Sequence, residues 1–200
     1  MRREEVLRRI EGVLESSREV SGGAYFGSVA MGTNDSYSDI DLVVRCPNSS
    51  ADPVVARLHE ALRVVLFRPF TAVRRPSGRY WFEGVSPFLR LDVSFHEDAV
   101  FDELLVRGHG FAQPPFEALS LQGTAASTAR ELPRWTEMEF EFGGALRNLH
   151  ETLKCLARGV APKRPLAEVE AKVESFEAAG LRPEVWGLYR RTAELVRGST

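Results

Sequence analysis

The sequence predicts a mixed α/β sheet flanked by helices, followed by a C-terminal helical bundle, and three observations predict it. Over residues 1–98, short apolar runs of strand length alternate with stretches of helical period. Residues 88–96 alternate strictly, with Leu89, Leu91, Val93 and Phe95 on one face and Arg90, Asp92, Ser94 and His96 on the other. From Trp135 onward the apolar residues recur every three or four positions instead. The expected organisation is an α/β domain at 1–98, a connecting segment at 99–129 and a helical domain at 130–200.

Each element has its own signal. Val6, Leu7, Ile10, Val13 and Leu14 form one helical face, which Gly22-Gly23 closes. Ala24-Tyr25-Phe26 reads as a strand running into Gly27-Ser28, and residues 29–37 as a turn and loop. A second strand is expected from Asp39 to Arg45, stopped by Pro47. Asp52-Pro53 supplies an N-cap carboxylate and a first-turn proline for a helix carrying Val55, Leu58, Leu62 and Val65, ended by Pro69. Residues 70–75 and 79–85 read as strands around the turn Pro76-Ser77-Gly78, with one of each alternating pair such as Trp81 and Phe82 in the core. In the second half, a long helix carries Phe142, Leu146, Leu149 and Leu153 and is capped at Gly159. A further helix carries Leu166, Val169, Val173 and Phe176 and ends at Gly180. Pro183 opens the last one, in which Trp186 and Tyr189 are expected to pack.

Composition excludes several classes. The chain has 200 residues, enough for a core without disulfide or metal staples. Lys and Arg total 26 against 28 Asp and Glu, a net charge of -2, so a strongly basic nucleic-acid glove is excluded, as is a highly acidic tail, while a local basic patch stays compatible with it. Cys46 and Cys155 are far apart, with neither disulfide nor zinc spacing, and read as buried thiols. No apolar run reaches the ~20 residues of a membrane span, and the dispersed apolar residues at the N-terminus form no signal-peptide core, so a cytoplasmic address is expected.

The chemistry concentrates between residues 26 and 44. Asp39 and Asp41 lie two apart on a predicted strand, so both carboxylates project from one face. Carboxylates held that close repel unless a cation sits between them, and a hard cation such as Mg²⁺ takes carboxylate and phosphate oxygens together. Gly27-Ser28 at a strand end allows close backbone approach to an anion and adds a hydroxyl. Asp92, on another strand, is a third carboxylate. This set suits two-metal phosphoryl or nucleotidyl transfer.

Phe26-Gly27-Ser28, ten further residues, Asp39-Ile40-Asp41 and the later strand Leu91-Asp92-Val93 together resemble the DNA polymerase β-like nucleotidyltransferase superfamily. The resemblance spans roughly residues 20–96, and with the helical half the form is similar to the small bacterial aminoglycoside and lincosamide nucleotidyltransferases. It implies a nucleotidyltransferase fold in which Gly27 and Ser28 hold the donor phosphates and Asp39, Asp41 and Asp92 hold two Mg²⁺ ions. The implied reaction is transfer of a nucleoside monophosphate, with ATP as the expected donor, to a hydroxyl of a small molecule, an antibiotic first. A carboxylate from the helical half often acts as general base in such enzymes, which nominates Glu139 or Glu141. By pattern alone, Glu137, Glu139, Glu141 and Glu151 equally describe a solvated face.

Other charged residues are assigned more plainly. Arg90 shares a predicted face with Asp92 and would pair with it or meet a phosphate. Lys154, Arg158, Lys163 and Arg164 read as complements to a helix C-terminus, with reach toward the triphosphate as the competing role. Asp35 reads as turn chemistry. The net charge favours a small cationic acceptor over nucleic acid. The competing functions are a toxin-like enzyme that modifies tRNA or protein, and a non-catalytic NTP-binding module.

Overall fold

The structure is a computed structural model describing residues 1–70, 77–107, 117–119, 136–176 and 181–197. Its centre is a six-stranded mixed sheet. The strands are β1 (Gly22–Phe26), β2 (Ile40–Arg45), β3 (Val64–Pro69), β4 (Gly78–Phe82), β5 (Arg90–His96) and β6 (Glu117–Leu119), in the order β3-β4-β5-β2-β1-β6. β2 and β5 run parallel, and the other neighbouring pairs are antiparallel. Helices α1 (Arg3–Glu15), the single turn α2 (Gly27–Ala30), α3 (Asp52–Leu62) and α4 (Asp98–Arg107) accompany the sheet. The helices α5 (Glu137–Ala157), α6 (Leu166–Glu174) and α7 (Pro183–Arg197) follow.

Two apolar cores hold these elements. The first lies between the sheet and α1 with α3. Val6, Ile10 and Leu14 meet Ile40, Leu42 and Val44 there, along with Leu91, Val93 and Phe95 from the apolar face of β5. The second joins the two halves of the chain. Val65, Leu66, Trp81 and Phe88 pack with Phe142, Leu146, Leu149 and Leu153 of α5 and with Val173, Val185 and Leu188. A fully buried His150 accepts from Trp81 Nε1 at 3.4 Å and lies 3.0 Å from Thr192 Oγ1, tying β4, α5 and α7 together. Burial keeps this imidazole neutral, with Arg90 and Lys154 acting in the same direction.

Five expectations need correction. α1 ends at Glu15, and Gly22-Gly23, expected to close it, are instead the first residues of β1. α3 stops at Leu62, where Arg63 turns left-handed with φ 51°, and Val64–Pro69 is a strand rather than the end of that helix. The apolar run Val64-Val65-Leu66-Phe67 fits either element. Pairing with β4 decides it, and a register shift between Val64 and Leu66 lets Val65 and Leu66 both enter the second core. Ala51 is the cap residue of α3, and Asp52 lies inside its first turn, where its charge complements the helix dipole. Tyr80, Trp81 and Phe82 are all buried, because the helical half covers the second face of β4. Cys46 is buried, its thiol pushed up to about 12 by that burial, whereas Cys155 is only half-buried; both are free.

Residues 99–129, expected as a connector, contribute most of α4 and, through β6, an edge strand beside β1. The expected strand over 71–75 and the residues Trp135 and Gly180 lie outside the described residues. No helix among the described residues is long and apolar enough to cross a membrane.

Candidate active site

The site forms where β2 and β5 run side by side. Asp41 and Asp92 are register partners on these parallel strands, and Asp39 precedes β2 by one position. Alternation sends Ile40, Leu42, Leu91 and Val93 into the first core, so the carboxylates emerge on the opposite face. Asp39, Asp41 and Asp92 each offer an oxygen within 4.8 Å of the others. The sequence-predicted triad is therefore assembled in space.

Gly27 closes one side. It opens α2 with φ +60°, and a Cβ built there would come within 2.9 Å of Asp41 Oδ2. The left-handed conformation favours glycine, and the missing Cβ leaves the Asp41 carboxylate undisturbed. Ser28 follows it in the same turn, half-buried.

Cations compensate two of the three acids. Arg90 is nearly buried, at 6% side-chain exposure, and its guanidinium is shared three ways. Nε donates to Asp92 Oδ1 at 2.9 Å, Nη1 to Glu151 Oε1 at 2.9 Å, and Nη2 to Asp39 Oδ2. Arg79, opposite Asp92 on β4, lies 3.0 Å from Asp92 Oδ2, and Lys154 Nζ lies 3.4 Å from Asp39 Oδ2. Burial lowers the Arg90 pKa, but Asp92, Asp39 and Glu151 together raise it further, so it stays charged. Burial also raises Asp39, but Arg90 and Lys154 outweigh it and hold this carboxyl below its ordinary value. Asp92 is pushed up by burial against the pull of Arg90 and Arg79.

Asp41 differs. No ion pair reaches it among the described residues, and burial, with the charges of Asp39 and Asp92, pushes it up to about 7. An acid so placed ionises comfortably only with a further cation beside it. Three hard oxygen donors, one of them an Asp41 that no ion pair reaches among the described residues, fit a Mg²⁺-type ion.

The loop before Asp39 is clamped from two helices. Asp35 Oδ1 accepts from Tyr37 N at 3.0 Å and Ser38 Oγ at 2.7 Å, the turn chemistry expected of it. Both its oxygens also accept from Arg158, the C-cap residue of α5, at 2.9 and 3.0 Å. That bond, then Ser38, holds the Asp35 carboxyl well below the usual range. Arg3 of α1 donates to the carbonyls of Asp35, Ser38 and Asp39.

The helical residues nominated by resemblance are not brought here. Glu139 is buried, and its side chain closes a capping box with Thr136 and pairs with Arg182. Glu141 is exposed and lines a groove between α5 and α6. Glu151 and Lys154, one turn apart on α5, are the residues that reach the site. Sequence offers Lys154 two roles, a helix-end charge or reach toward the triphosphate, and the structure sets its Nζ 3.4 Å from Asp39 Oδ2. The available signal was spacing, since the i, i+3 pair shares a helix face. Of the two roles expected of Arg90, the pairing with Asp92 is the one formed, and the same guanidinium extends it to Asp39.

Comparison with curated proteins gives no match. A family model described as "Nucleotidyltransferase domain" matches residues 7–78, which include Gly27, Ser28, Asp39 and Asp41 and stop short of Asp92. Asp92 joins them through its register with Asp41. The match at residues 7–78 is to a nucleotidyltransferase domain, consistent with the DNA polymerase β-like superfamily that the sequence resembles.

Proposed function

We propose that this protein is a Mg²⁺-dependent nucleotidyltransferase of the cytoplasm that moves a nucleoside monophosphate, from ATP first, to a hydroxyl of a small molecule. The observation that carries this reading is the convergence of Asp39, Asp41 and Asp92 within 4.8 Å beside Gly27. In the reaction the acceptor oxygen attacks the α-phosphorus, the bond from that phosphorus to the bridging oxygen breaks, and pyrophosphate leaves. Asp39, Asp41 and Asp92 would hold the ions, two by the resemblance. Bound divalent cations supply charge neutralisation at the triphosphate and acidify the acceptor hydroxyl.

The chain's own groups do the rest. Gly27, which the resemblance assigns with Ser28 to the donor phosphates, leaves room for the Asp41 carboxylate, and Arg90 fixes Asp39 and Asp92 in one geometry. Lys154 adds positive charge at Asp39. Glu151, held by Arg90, replaces Glu139 and Glu141 as the helical carboxylate positioned to take the acceptor's proton. An antibiotic acceptor is supported by the resemblance alone.

The test is incubation with labelled ATP and Mg²⁺ against small alcohols including aminoglycosides and lincosamides, total tRNA, and cell protein. Transfer to a small molecule with pyrophosphate release, lost in Asp39→Asn and Asp41→Asn, is expected. Label only in tRNA or protein would overturn the acceptor class. Nucleotide binding with no pyrophosphate released from any acceptor would leave a binding module.

A further inference from the structure

We propose that the groove between α5 and α6 binds a phosphate group, which makes the acceptor a small phosphate-bearing alcohol. The second half of this statement rests on the transferase reading above. The groove encloses about 570 Å³, within the range of small-molecule sites and too small for a nucleic-acid duplex. Its charged lining is Arg68, Arg147, Arg164 and Lys172 against Glu141 and Glu168. Arg164 and Glu168 neutralise each other at 3.5 Å, which leaves three cations facing one acid.

Two features concentrate that charge. Arg68 reaches across from β3 because α5 presents Gly143 and Gly144 at the crossing. A Cβ at Gly143 would meet the Arg68 side chain at 3.2 Å, and one at Gly144 at 3.4 Å. The Arg68 guanidinium lies 4.5 Å from the Phe140 ring centroid, and its Nε donates to the Phe140 carbonyl at 3.3 Å, so it is held in place. Arg147 has no hydrogen bond or ion pair among the described residues. It repels both Arg68 and Arg79. Like charges gathered around a concavity cost stability until an anion arrives.

Position separates this groove from the place of the donor. α5 reaches Asp39 with Lys154 and Asp35 with Arg158, on the side of the β1–β2 connection. Arg147 lies two turns earlier, about 10 Å back along the axis, toward β3. Arg79 continues the positive charge from Arg147 to Asp92, with which it pairs at 3.0 Å. A phosphate in the groove would hold an acceptor on the opposite side of the carboxylates from Gly27. The cationic acceptor favoured by the net charge of -2 does not suit this lining.

The test begins without metal or nucleotide, using inorganic phosphate as the probe. Titration into ¹⁵N-labelled protein should give saturable amide shifts at Gly144 and Arg147. Binding should weaken about tenfold in Arg147→Gln, with a similar direction in Lys172→Gln as the second variant. Shifts confined to Gly27 and Ser28, or unchanged affinity in both folded variants, would overturn the phosphate site. Total tRNA bound more tightly through the same residues, and not displaced by glycerol 3-phosphate, would overturn the small-molecule class. Phosphate binding at the groove without pyrophosphate release from any acceptor refutes the transferase reading and upholds the site. Transfer to unphosphorylated alcohols that is insensitive to Arg147→Gln refutes the acceptor assignment alone.

Discussion

Replacing Asp41 by Asn should stabilise the metal-free protein while disabling the site. Asp41 has its pKa raised from 3.8 to about 7 in the fold, by burial first and then by Asp39 and Asp92. Its neutral form is the favoured one, so its contribution to stability is complete below pH 3.8. That contribution is lost progressively as pH rises through about 7 and is constant above. The shift is worth at most about 4 kcal/mol at about 1.4 kcal/mol per unit. Solvent access to the half-buried carboxylate brings this to about 1–2 kcal/mol. For a chain of this size that is roughly 2–8 °C in Tm. Thermal unfolding in chelator across pH 4–8 should therefore show Asp41→Asn melting above the parent protein, by a margin that widens to about pH 7. Mg²⁺ should raise the Tm of the parent at pH 8 and move the variant much less. A variant that melts below the parent at pH 8 in chelator, or a margin independent of pH, would refute the account of Asp41 as an acid awaiting a cation.

Arg90→Met should destabilise the metal-free protein by about 3–5 kcal/mol, because Asp39, Asp92 and Glu151 lose their shared cation. Denaturant titration measures it, and Mg²⁺ should restore part of the loss. Glu139→Ala should cost about 1–3 kcal/mol through the lost capping box and Arg182 pair while leaving kcat of the folded enzyme unchanged; a selective fall in kcat would return Glu139 to the catalytic machinery. Arg158→Ala, removing an exposed pair, should cost under ~1 kcal/mol yet speed amide exchange in the Asp35–Ser38 loop.

The carboxylate triad was legible because strand alternation translates directly into facing: Asp39 and Asp41 had to share a side with one another, and Asp92 a side with Arg90. What alternation does not carry is which partner covers the second face of a strand. Alternation therefore puts only one of Trp81 and Phe82 in the core and leaves Val65 on a helix, because packing against Phe142 and Leu146 is visible only in three dimensions. The helical contribution to the site failed similarly. Four glutamates on α5 look alike in sequence, and only the placement of the helix separates Glu151, on Arg90, from Glu139, on Arg182. The cationic groove was hidden by summation, because a net charge of -2 says nothing of where Arg68 and Arg147 meet.

Placement of α5 therefore governs more than the second core. Its apolar side, through Phe142, Leu146, Leu149 and Leu153, fixes the helix against β3 and β4. From that one rigid element Arg147 faces the groove, Glu151 and Lys154 meet the carboxylate cluster, and Arg158 holds the loop that leads into Asp39. A single packing interface thus sets the distance between the groove and the metal-type site, and a rigid helix transmits that distance without a flexible linker. Selection of an acceptor by this chain would then lie in the spacing between Arg147 and Asp92 as much as in either residue, since a phosphate seated in the groove delivers its hydroxyl to the carboxylates only over a span that matches the helix.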